Sequence, residues 1–227
     1  MISASDRLAS LHSMVLLTSA GERDFASAVR ARYASTATRH TTAALRAGSI
    51  RGTVTLDRIV MRFNTSSFDE YPMSATLILN VTSDRLASAG FFVVAPDTSA
   101  SFPSSADTGD FSKVDRTTLY QKQSGAYTVP RSARTLSIPL SDTALDKIQA
   151  DETFILYLIS EQEGLGDPGR TVVTTDLIGT NPRLEVVTPA FVDQIRRTHG
   201  VPGRGFSSRN LIVTTGGKTV GNGFEDI

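Results

Sequence analysis

Cysteine and tryptophan are both missing from this sequence of 227 residues. Without cysteine, the chain cannot form disulfides or zinc sites built from thiolates. Without tryptophan, only tyrosine and phenylalanine can offer aromatic faces to a sugar ring. We therefore do not favour glycan stacking over core or interface packing for the five tyrosines, which are Tyr33, Tyr71, Tyr120, Tyr127 and Tyr157.

A net charge and a long apolar segment near the start are missing as well. The 23 basic residues balance 23 acidic ones, which argues against a nucleic-acid binder that depends on phosphate neutralisation. The apolar run Met14–Leu17 is shorter than a signal-peptide core of about 7–15 residues and far shorter than a membrane span. We expect a protein made in the cytoplasm, with no nucleic-acid partner and no membrane partner.

Alternating apolar residues predict β-strands through the middle of the chain. The segment Arg58–Val81 contains two such runs, Ile59–Phe63 and Ala75–Val81, joined by a polar connection. A period of two is typical of strands with one face on a core. Asp57 and Arg58 interrupt the pattern and suggest a bulge. Further strands are predicted at Val54–Leu56, Phe91–Ala95, Ser112–Val114, Thr118–Tyr120, Ala126–Val129, Thr135–Leu140, Thr153–Ser160, Thr171–Thr174 and Arg183–Val187.

Some of these segments also indicate their place in the fold. Thr153–Ser160 is apolar on both faces, which predicts a central strand. Pro139 cannot donate a ladder hydrogen bond, so its strand is expected at an edge. A short helix is predicted after Ser141 or Asp142. Residues 96–110 are rich in turn formers and predict a long exposed loop.

Both ends of the chain differ from this β-rich middle. Residues 1–27 are predicted to be an N-terminal arm, with residues 1–24 as an arm or a short helix. Two interpretations compete next: a helix over Ser19–Arg32, or a strand from about Ala28 to Thr36, which we favour. At the other end, Thr188, Pro189 and Gly200 predict a capped helix, and residues 188–227 form a helix and tail that docks on a neighbour.

Three short motifs then resemble a known family. Phe63-Asn64-Thr65-Ser66 ends one predicted strand, Ala75-Thr76-Leu77 begins the next, and Pro182-Arg183-Leu184-Glu185-Val186 forms the last. Their order resembles jelly-roll modules of bacteriophage tail and virion proteins, similar to DNRLRE-type carbohydrate-binding-like modules. The resemblance implies a mainly β fold: an antiparallel jelly-roll-like β-sandwich over residues 28–187, one or two short helices and extended terminal arms. Asn64 stands where that family usually has Asp, which lowers the expectation of calcium there.

Candidate sites for nucleotides and metals each have a simpler interpretation. Gly216-Gly217-Lys218-Thr219 resembles the end of a phosphate loop, but Ile212 stands where such a loop needs glycine. The histidines lie in three separate segments, so we interpret each as a surface or turn residue; they are His12, His40 and His199. We name no cofactor-binding or metal-binding residue and expect no cofactor.

Acidic residues occur as neighbours in several predicted loops, where exposed acids are ordinary solvated groups. A glycosidase would need two of them about 5–10 Å apart across a cleft. The pairs are Asp69/Glu70, Asp107/Asp110, Asp151/Glu152 and Glu161/Glu163. Sequence does not show any pair flanking a cleft, so we name no catalytic residue.

The expected function follows mainly from the resemblance. It implies a non-enzymatic structural component of a bacteriophage virion, such as a tail, collar, fibre or head-decoration protein. Such a protein is located in the virion and acts as a homo-oligomer that docks on other virion proteins. The alternative is a carbohydrate-binding module that presents loops 96–110 and 161–170 to a cell-surface glycan. A third hypothesis is a hydrolase that uses the loop acids.

Overall fold

The computed structural model of the chain describes both backbone and side chains for most of the β-rich middle. These residues are 8–39, 53–80, 90–102, 107–128, 135–165 and 182–189. For residues 45–50, 173–175, 213–215 and 218–220 it describes the backbone.

The fold is mainly β, and every ladder between the described strands is antiparallel. The strands are β1 Leu8–Ser19, β2 Ala34–Arg39, β3 Leu45–Ile50, β4 Thr53–Asn64, β5 Ser74–Asn80, β6 Gly90–Pro96, β7 Val114–Leu119, β8 Tyr127–Thr128, β9 Thr135–Pro139, β10 Thr153–Ser160, β11 Val173–Thr175, β12 Arg183–Val187, β13 Val213–Thr215 and β14 Lys218–Val220. The helices are α1 Phe25–Arg30, α2 Asp142–Ala150, α3 Glu161–Leu165 and a 3₁₀ helix at Thr108–Ser112.

One sheet contains strands β1–β12 in the order β7-β6-β10-β4-β1-β12-β5-β9. Beside this path, β2 pairs with β1, β3 with β4, β11 with β3, and β8 with β6. The two ends of the path meet at an isolated bridge between Gln121, just after β7, and Leu140, just after β9. The sheet is therefore curled until its first and last strands touch.

Two apolar cores lie on opposite faces of the central strands. Inside the curl, one core is shared by β1, β4, β5, β6, β9, β10 and β12, and α2 covers it with Leu145 and Ile148. On the outer face, Val60, Tyr157 and Phe111 belong to a second core beneath α1 and the 3₁₀ helix. The predicted alternation is confirmed here, because Ile59, Met61 and Phe63 face the inner core while Val60 faces the outer one.

Several predicted elements are confirmed. β10 lies between β6 and β4, as expected of a strand that is apolar on both faces. β9, which contains Pro139, ends the strand order. Helix α2 begins after Ser141 and ends before Asp151. The strands at β5, β6 and β12 also lie where alternation predicts them.

The predicted arm or short helix over residues 1–24 is wrong for Leu8–Ser19, which form β1. β1 pairs with β4 along most of its length, and its other edge pairs with β12 near Leu8 and with β2 near Ser19. The register with β4 shifts between Leu11 and Ser13. Ala9 and Leu11 contact the inner core before this shift, and Met14 and Leu16 contact it after the shift. The inward-facing positions thus change from odd to even numbers, so simple alternation does not reveal the strand.

The predicted strand over Ala28–Thr36 is partly wrong, because Phe25–Arg30 form α1 and β2 begins only at Ala34. The helix alternative succeeds here since Asp24 accepts a hydrogen bond from the Ser27 backbone N–H at 2.7 Å and caps α1. The bulge suggested at Asp57 and Arg58 is also wrong, because both residues pair regularly with β1.

The predicted exposed loop over residues 96–110 is wrong for its last part. Thr108–Ser112 form the 3₁₀ helix, with Asp110 and Phe111 fully buried. Consequently Ser112–Val114 is not a strand, and β7 begins at Val114.

The predicted helix after Pro189 lies outside the described residues. Beyond it, β13 and β14 pair only with each other among the described strands. No described helix has the length and apolar character that crossing a membrane requires.

Candidate functional site

The middle of β4 carries three charged residues, Asp57, Arg58 and Arg62, each at most 2% exposed. A charged side chain in an apolar layer is costly unless it is paired and hydrogen-bonded. Asp57 accepts a hydrogen bond from the Thr18 hydroxyl on β1 at 2.6 Å, whereas Arg58 and Arg62 bind the segments that cover the outer face of the sheet.

Arg58 holds three separate segments against the sheet. Its Nε donates to Glu163 Oε1 at 2.8 Å on α3, and its Nη2 donates to the Val29 carbonyl oxygen at 2.9 Å on α1. Its Nη1 donates to the Phe111 carbonyl oxygen, and the guanidinium carbon lies 3.9 Å from the Phe111 ring centroid. We call this arrangement of Arg58, Glu163, Val29 and Phe111 the Arg58 clamp.

Arg62 anchors the 3₁₀ helix through Asp110. Its Nη2 donates to Asp110 Oδ2 at 2.9 Å, and Lys113 Nζ donates to Asp110 Oδ1 at 2.8 Å. The Asp107 backbone N–H also donates to Asp110 Oδ2, which completes the capping box of the helix. One buried carboxylate thus joins β4 to both ends of the 3₁₀ helix.

Tyr157 adds a neutral hydrogen bond to this layer. Its hydroxyl donates to the Asp110 carbonyl oxygen at 2.8 Å. Burial, followed by the negative charge of Asp110, raises the pKa of the Tyr157 phenol above its usual value. The hydroxyl is therefore protonated at neutral pH and stays a donor.

A groove of about 390 Å³ opens beside this buried layer, where β4 ends and β10 begins. It is lined by His12, Arg62, Asn64, Ser66, Phe102, Glu152, Thr153 and Ile155. We call it the Phe102 groove. A second hollow of about 210 Å³ shares Phe102, Thr153 and Ile155 with it and extends to Asp97 and Lys147.

The Phe102 ring in the groove lies close to two cationic side chains. Its centroid is 5.2 Å from Lys113 Nζ and 5.9 Å from the Arg62 guanidinium carbon. Asn64 at the groove wall is held by its own turn, since its Oδ1 accepts from Ser66 N at 3.0 Å and Ser66 Oγ at 2.7 Å. The groove thus combines one aromatic face with exposed hydroxyl, amide, imidazole and carboxylate groups.

The acids singled out in the sequence fall into three groups: buried, exposed and half-buried. The expectation that all are solvated loop residues is wrong for Asp110 and Glu163, which are at most 2% exposed and hold ion pairs. It is confirmed for five exposed residues, namely Asp69, Glu70, Asp107, Asp151 and Glu152. Glu161 is half-buried and accepts from the Gly90 backbone N–H at 3.1 Å.

Only some of the histidines and of the phosphate-loop residues fall within the described part of the chain. His12 is exposed on β1 and lines the Phe102 groove, whereas His40 and His199 lie outside the described residues. Lys218 and Thr219 lie on β14, whereas a phosphate loop would lead into a helix. Within the part of the chain that the structure describes, no three His, Asp or Glu side chains lie close enough together to hold a metal ion.

The tyrosines are divided between the surface and the cores. Tyr33 and Tyr71 are exposed, Tyr127 is half-buried, and Tyr120 and Tyr157 are buried. Tyr120 and Tyr157 therefore pack in the cores.

Sequence reasoning missed the residues that build the Arg58 clamp. A signal was present, because Arg58 and Arg62 share one face of β4 with Val60. A charged residue on the apolar face of a two-sided strand predicts a buried partner, although it does not say which acid supplies it.

Comparison of the sequence with protein-family models and with curated proteins found no match.

Proposed function

We propose that this protein is a non-enzymatic structural component of a bacteriophage virion, such as a tail, collar, fibre or head-decoration protein. It acts by self-assembly and by docking on other virion proteins. Its curled antiparallel sheet is, in this proposal, the jelly-roll β-sandwich of the modules that Phe63–Ser66 and Pro182–Val186 resemble.

The observation that supports the proposal is that buried ion pairs hold the segments on the outer face of the sheet. Arg58, Arg62, Asp110 and Glu163 are buried, and their ion pairs fix α3 and the 3₁₀ helix onto the sheet. Burying charges in this way contributes little net stability but fixes one arrangement of the segments. A subunit that must present the same surface to each neighbour in a symmetric assembly needs such fixed segments.

Particle composition tests this proposal. Phage particles from a lysate that carries the gene are purified on a density gradient, washed in high salt and analysed by quantitative mass spectrometry. We expect the chain to stay with the particles at a constant ratio to the major capsid protein. A replication protein of the same phage serves as the control that is washed away, and a chain that behaves like this control overturns the proposal.

The Phe102 groove favours carbohydrate binding as the second candidate. An aromatic side chain flanked by hydroxyl, amide, carboxylate and guanidinium groups suits a sugar, which presents both an apolar ring face and hydroxyls. Of the first proposed loop, Phe102 lines the groove at the start of β10, and Asp97, Thr98 and Ala100 line the adjoining hollow. Helix α3, at the start of the second proposed loop, follows the opposite end of β10.

Calorimetric titration with host surface polysaccharide tests this second candidate. Wild-type protein is expected to bind, and Phe102→Ala to weaken binding about tenfold or more through loss of stacking. Tyr33→Ala, which removes an exposed ring far along the chain from the groove, is the matched control. No heat of binding for the wild type, or equal binding by both variants, rules the groove out as a glycan site.

A further inference from the structure

Tyr120 is a buried residue directly after β7, and both its backbone and its ring are held by the inner core. Its N–H donates to the Val93 carbonyl oxygen at 2.9 Å, and its carbonyl oxygen accepts from the Ser141 N–H at 2.7 Å. The residue is 1% exposed, and its ring stacks on Phe154 with the two centroids 5.2 Å apart. A phenylalanine would make all of these contacts, so they do not account for the hydroxyl.

The Tyr120 hydroxyl makes no hydrogen bond to any residue that the structure describes. The other buried tyrosine differs, because the Tyr157 hydroxyl donates to the Asp110 carbonyl oxygen. Since burying a hydroxyl without a partner is costly, the Tyr120 hydroxyl is expected to meet water or a ligand. Tyr120 lines the second hollow of about 210 Å³, and its oxygen is not among the polar atoms that the fold encloses completely. We call this cavity the Tyr120 hollow; its walls include Asp97, Phe102, Lys147 and Asp151.

Hydrogen bonds and an ion pair hold the walls of the Tyr120 hollow in place. Asp97 Oδ1 accepts from the Ser99 N–H at 2.9 Å and from Ser99 Oγ at 2.7 Å. The Asp97 N–H donates to the Lys113 carbonyl oxygen at 3.0 Å. Lys147 in the last turn of α2 and Asp151 at its C-cap lie with Nζ and Oδ2 4.0 Å apart. The hollow is therefore pre-formed, as most small-ligand sites are.

The groups in these walls suit a ligand that both donates and accepts hydrogen bonds. The carboxylates of Asp97 and Asp151 only accept, and the Lys147 ammonium only donates. Burial raises the pKa of the Tyr120 phenol, so its hydroxyl stays protonated and can do both. A sugar hydroxyl can pair with each of these groups, and the Phe102 ring can cover an apolar sugar face. At about 210 Å³ the hollow is smaller than the pockets of about 300–1,000 Å³ that hold drug-sized ligands, which limits it to one ring.

We propose that the Tyr120 hollow binds one sugar residue of a glycan whose next residues lie in the Phe102 groove. The two cavities share Phe102, Thr153 and Ile155, so one glycan chain can occupy both. The Tyr120 hydroxyl donates to a sugar oxygen, and the carboxylates in the walls accept from sugar hydroxyls. This inference rests on carbohydrate binding, the second candidate function, and does not depend on a place in a virion.

Removing the Tyr120 hydroxyl tests this site, with short oligosaccharides from the purified surface polysaccharide of the host bacterium as the probe. Tyr120→Phe keeps the ring that stacks on Phe154, so the fold should be unchanged. Calorimetric titration should show the Kd rising about three- to tenfold, as expected for the loss of one hydrogen bond. The matched control is Tyr127→Phe, which removes a half-buried hydroxyl outside both cavities and should bind like the wild type. Circular dichroism checks that each variant keeps the fold.

NMR of the full chain labelled with ¹³C in the tyrosine rings shows where the oligosaccharide binds. The Tyr120 ring signals, assigned through Tyr120→Phe, should shift on titration, whereas those of the exposed Tyr33 should not. If the wild type binds but Tyr120→Phe binds equally well, or the Tyr120 signals do not move, this inference is overturned and carbohydrate binding in the Phe102 groove still stands. A wild type that binds none of the oligosaccharides overturns both. None of these results affects the particle-composition test.

Discussion

Arg58 on β4 connects α1, the 3₁₀ helix and α3 to the sheet through its hydrogen bonds. It is fully buried, and its hydrogen bonds reach Glu163, Phe111 and Val29. Because the guanidinium cannot lose its proton in a protein, the charge must be balanced inside the fold. The Glu163 carboxylate balances the charge of Arg58. The packing of α1, the 3₁₀ helix and α3 on the sheet therefore depends on this one carboxylate.

Replacing Glu163 by glutamine tests this dependence. Glu163→Gln keeps the shape but leaves the buried Arg58 charge uncompensated, which should lower the free energy of unfolding by about 3–5 kcal/mol. Urea denaturation measures the change. The control is Glu161→Gln on the same helix, whose amide oxygen can still accept from the Gly90 N–H. Equal stability of the two variants would mean that the Arg58 clamp does not hold α3.

The second residue-level prediction concerns Tyr157 at high pH. Its folded pKa is raised by burial above the unfolded value of about 10, so its stabilising contribution is complete below pH 10 and is lost as pH rises further. Each such buried tyrosine lowers the free energy of unfolding by up to about 1.4 kcal/mol per pH unit in that range. Tyr120, whose pKa burial also raises, contributes in the same direction.

Urea titrations between pH 8 and 11 measure this slope. Tyr157→Phe should show a shallower decline than the wild type, because phenylalanine has no proton to lose. Tyr33→Phe, on an exposed side chain, should follow the wild type. A slope unchanged in Tyr157→Phe would contradict the assignment of this alkaline sensitivity to Tyr157.

At the level of single residues, sequence identified the alternating faces of β4 but not the partners of its charges. Arg58 and Glu163 are 105 positions apart, and periodicity reports only on neighbours. Asp110 and Glu163 looked like loop acids because their own surroundings are rich in Gly, Ser and Asp. Their burial depends on which strand the loop meets, which local sequence does not contain.

At the level of elements, the N-cap of α1 explains why this segment is a helix although its sequence also fits a strand. The segment after Ser19 fits both a helix and a strand by periodicity, and the Asp24 cap favours the helix. β1 was missed for a different reason. It is buried on both faces over Met14–Leu17, and its register with β4 shifts after Leu11, so neither helical nor strand periodicity is regular.

Removing the α1 cap gives an element-level prediction. Asp24→Ala leaves the Ser27 N–H without its acceptor, and the thermal midpoint should fall by about 2–4 °C. That hydrogen bond lowers the pKa of Asp24, so its contribution is present above about pH 3.8 and is lost as pH falls through the lowered pKa. Differential scanning calorimetry should show a larger difference in thermal midpoint between the two proteins at pH 7 than at pH 2.

Asp24→Asn is the matched variant for this cap. Its amide oxygen still accepts from Ser27 N–H but carries no charge, so it should keep most of the stability and lose the acid dependence. If Asp24→Ala and Asp24→Asn melt alike, the hydrogen bond is not what stabilises α1.

At the level of the whole molecule, the strand order brings residues from both ends of the sheet together. The bridge between Gln121 and Leu140 closes the curl, and β1 connects the two halves of the sheet between β4 and β12. The alternation in the sequence predicted most of the strands. The alternation did not predict the order of the strands in the sheet, because it reports only which residues of one strand share a face. Strands far apart in the chain also pair with each other here.

The position of β1 gives the last prediction. A chain that begins at residue 28 has the predicted domain boundary but lacks the central strand, so it exposes the edges of β4, β12 and β2 and the apolar side chains they cover. We expect it to be unfolded or aggregated, with no near-UV circular dichroism signal. A chain that ends at residue 187 keeps every strand of the main sheet and should retain that signal. If the chain that begins at residue 28 folds cooperatively, the backbone pairing of β1 with β4, β12 and β2 is not required for the sheet to form, and this prediction is wrong.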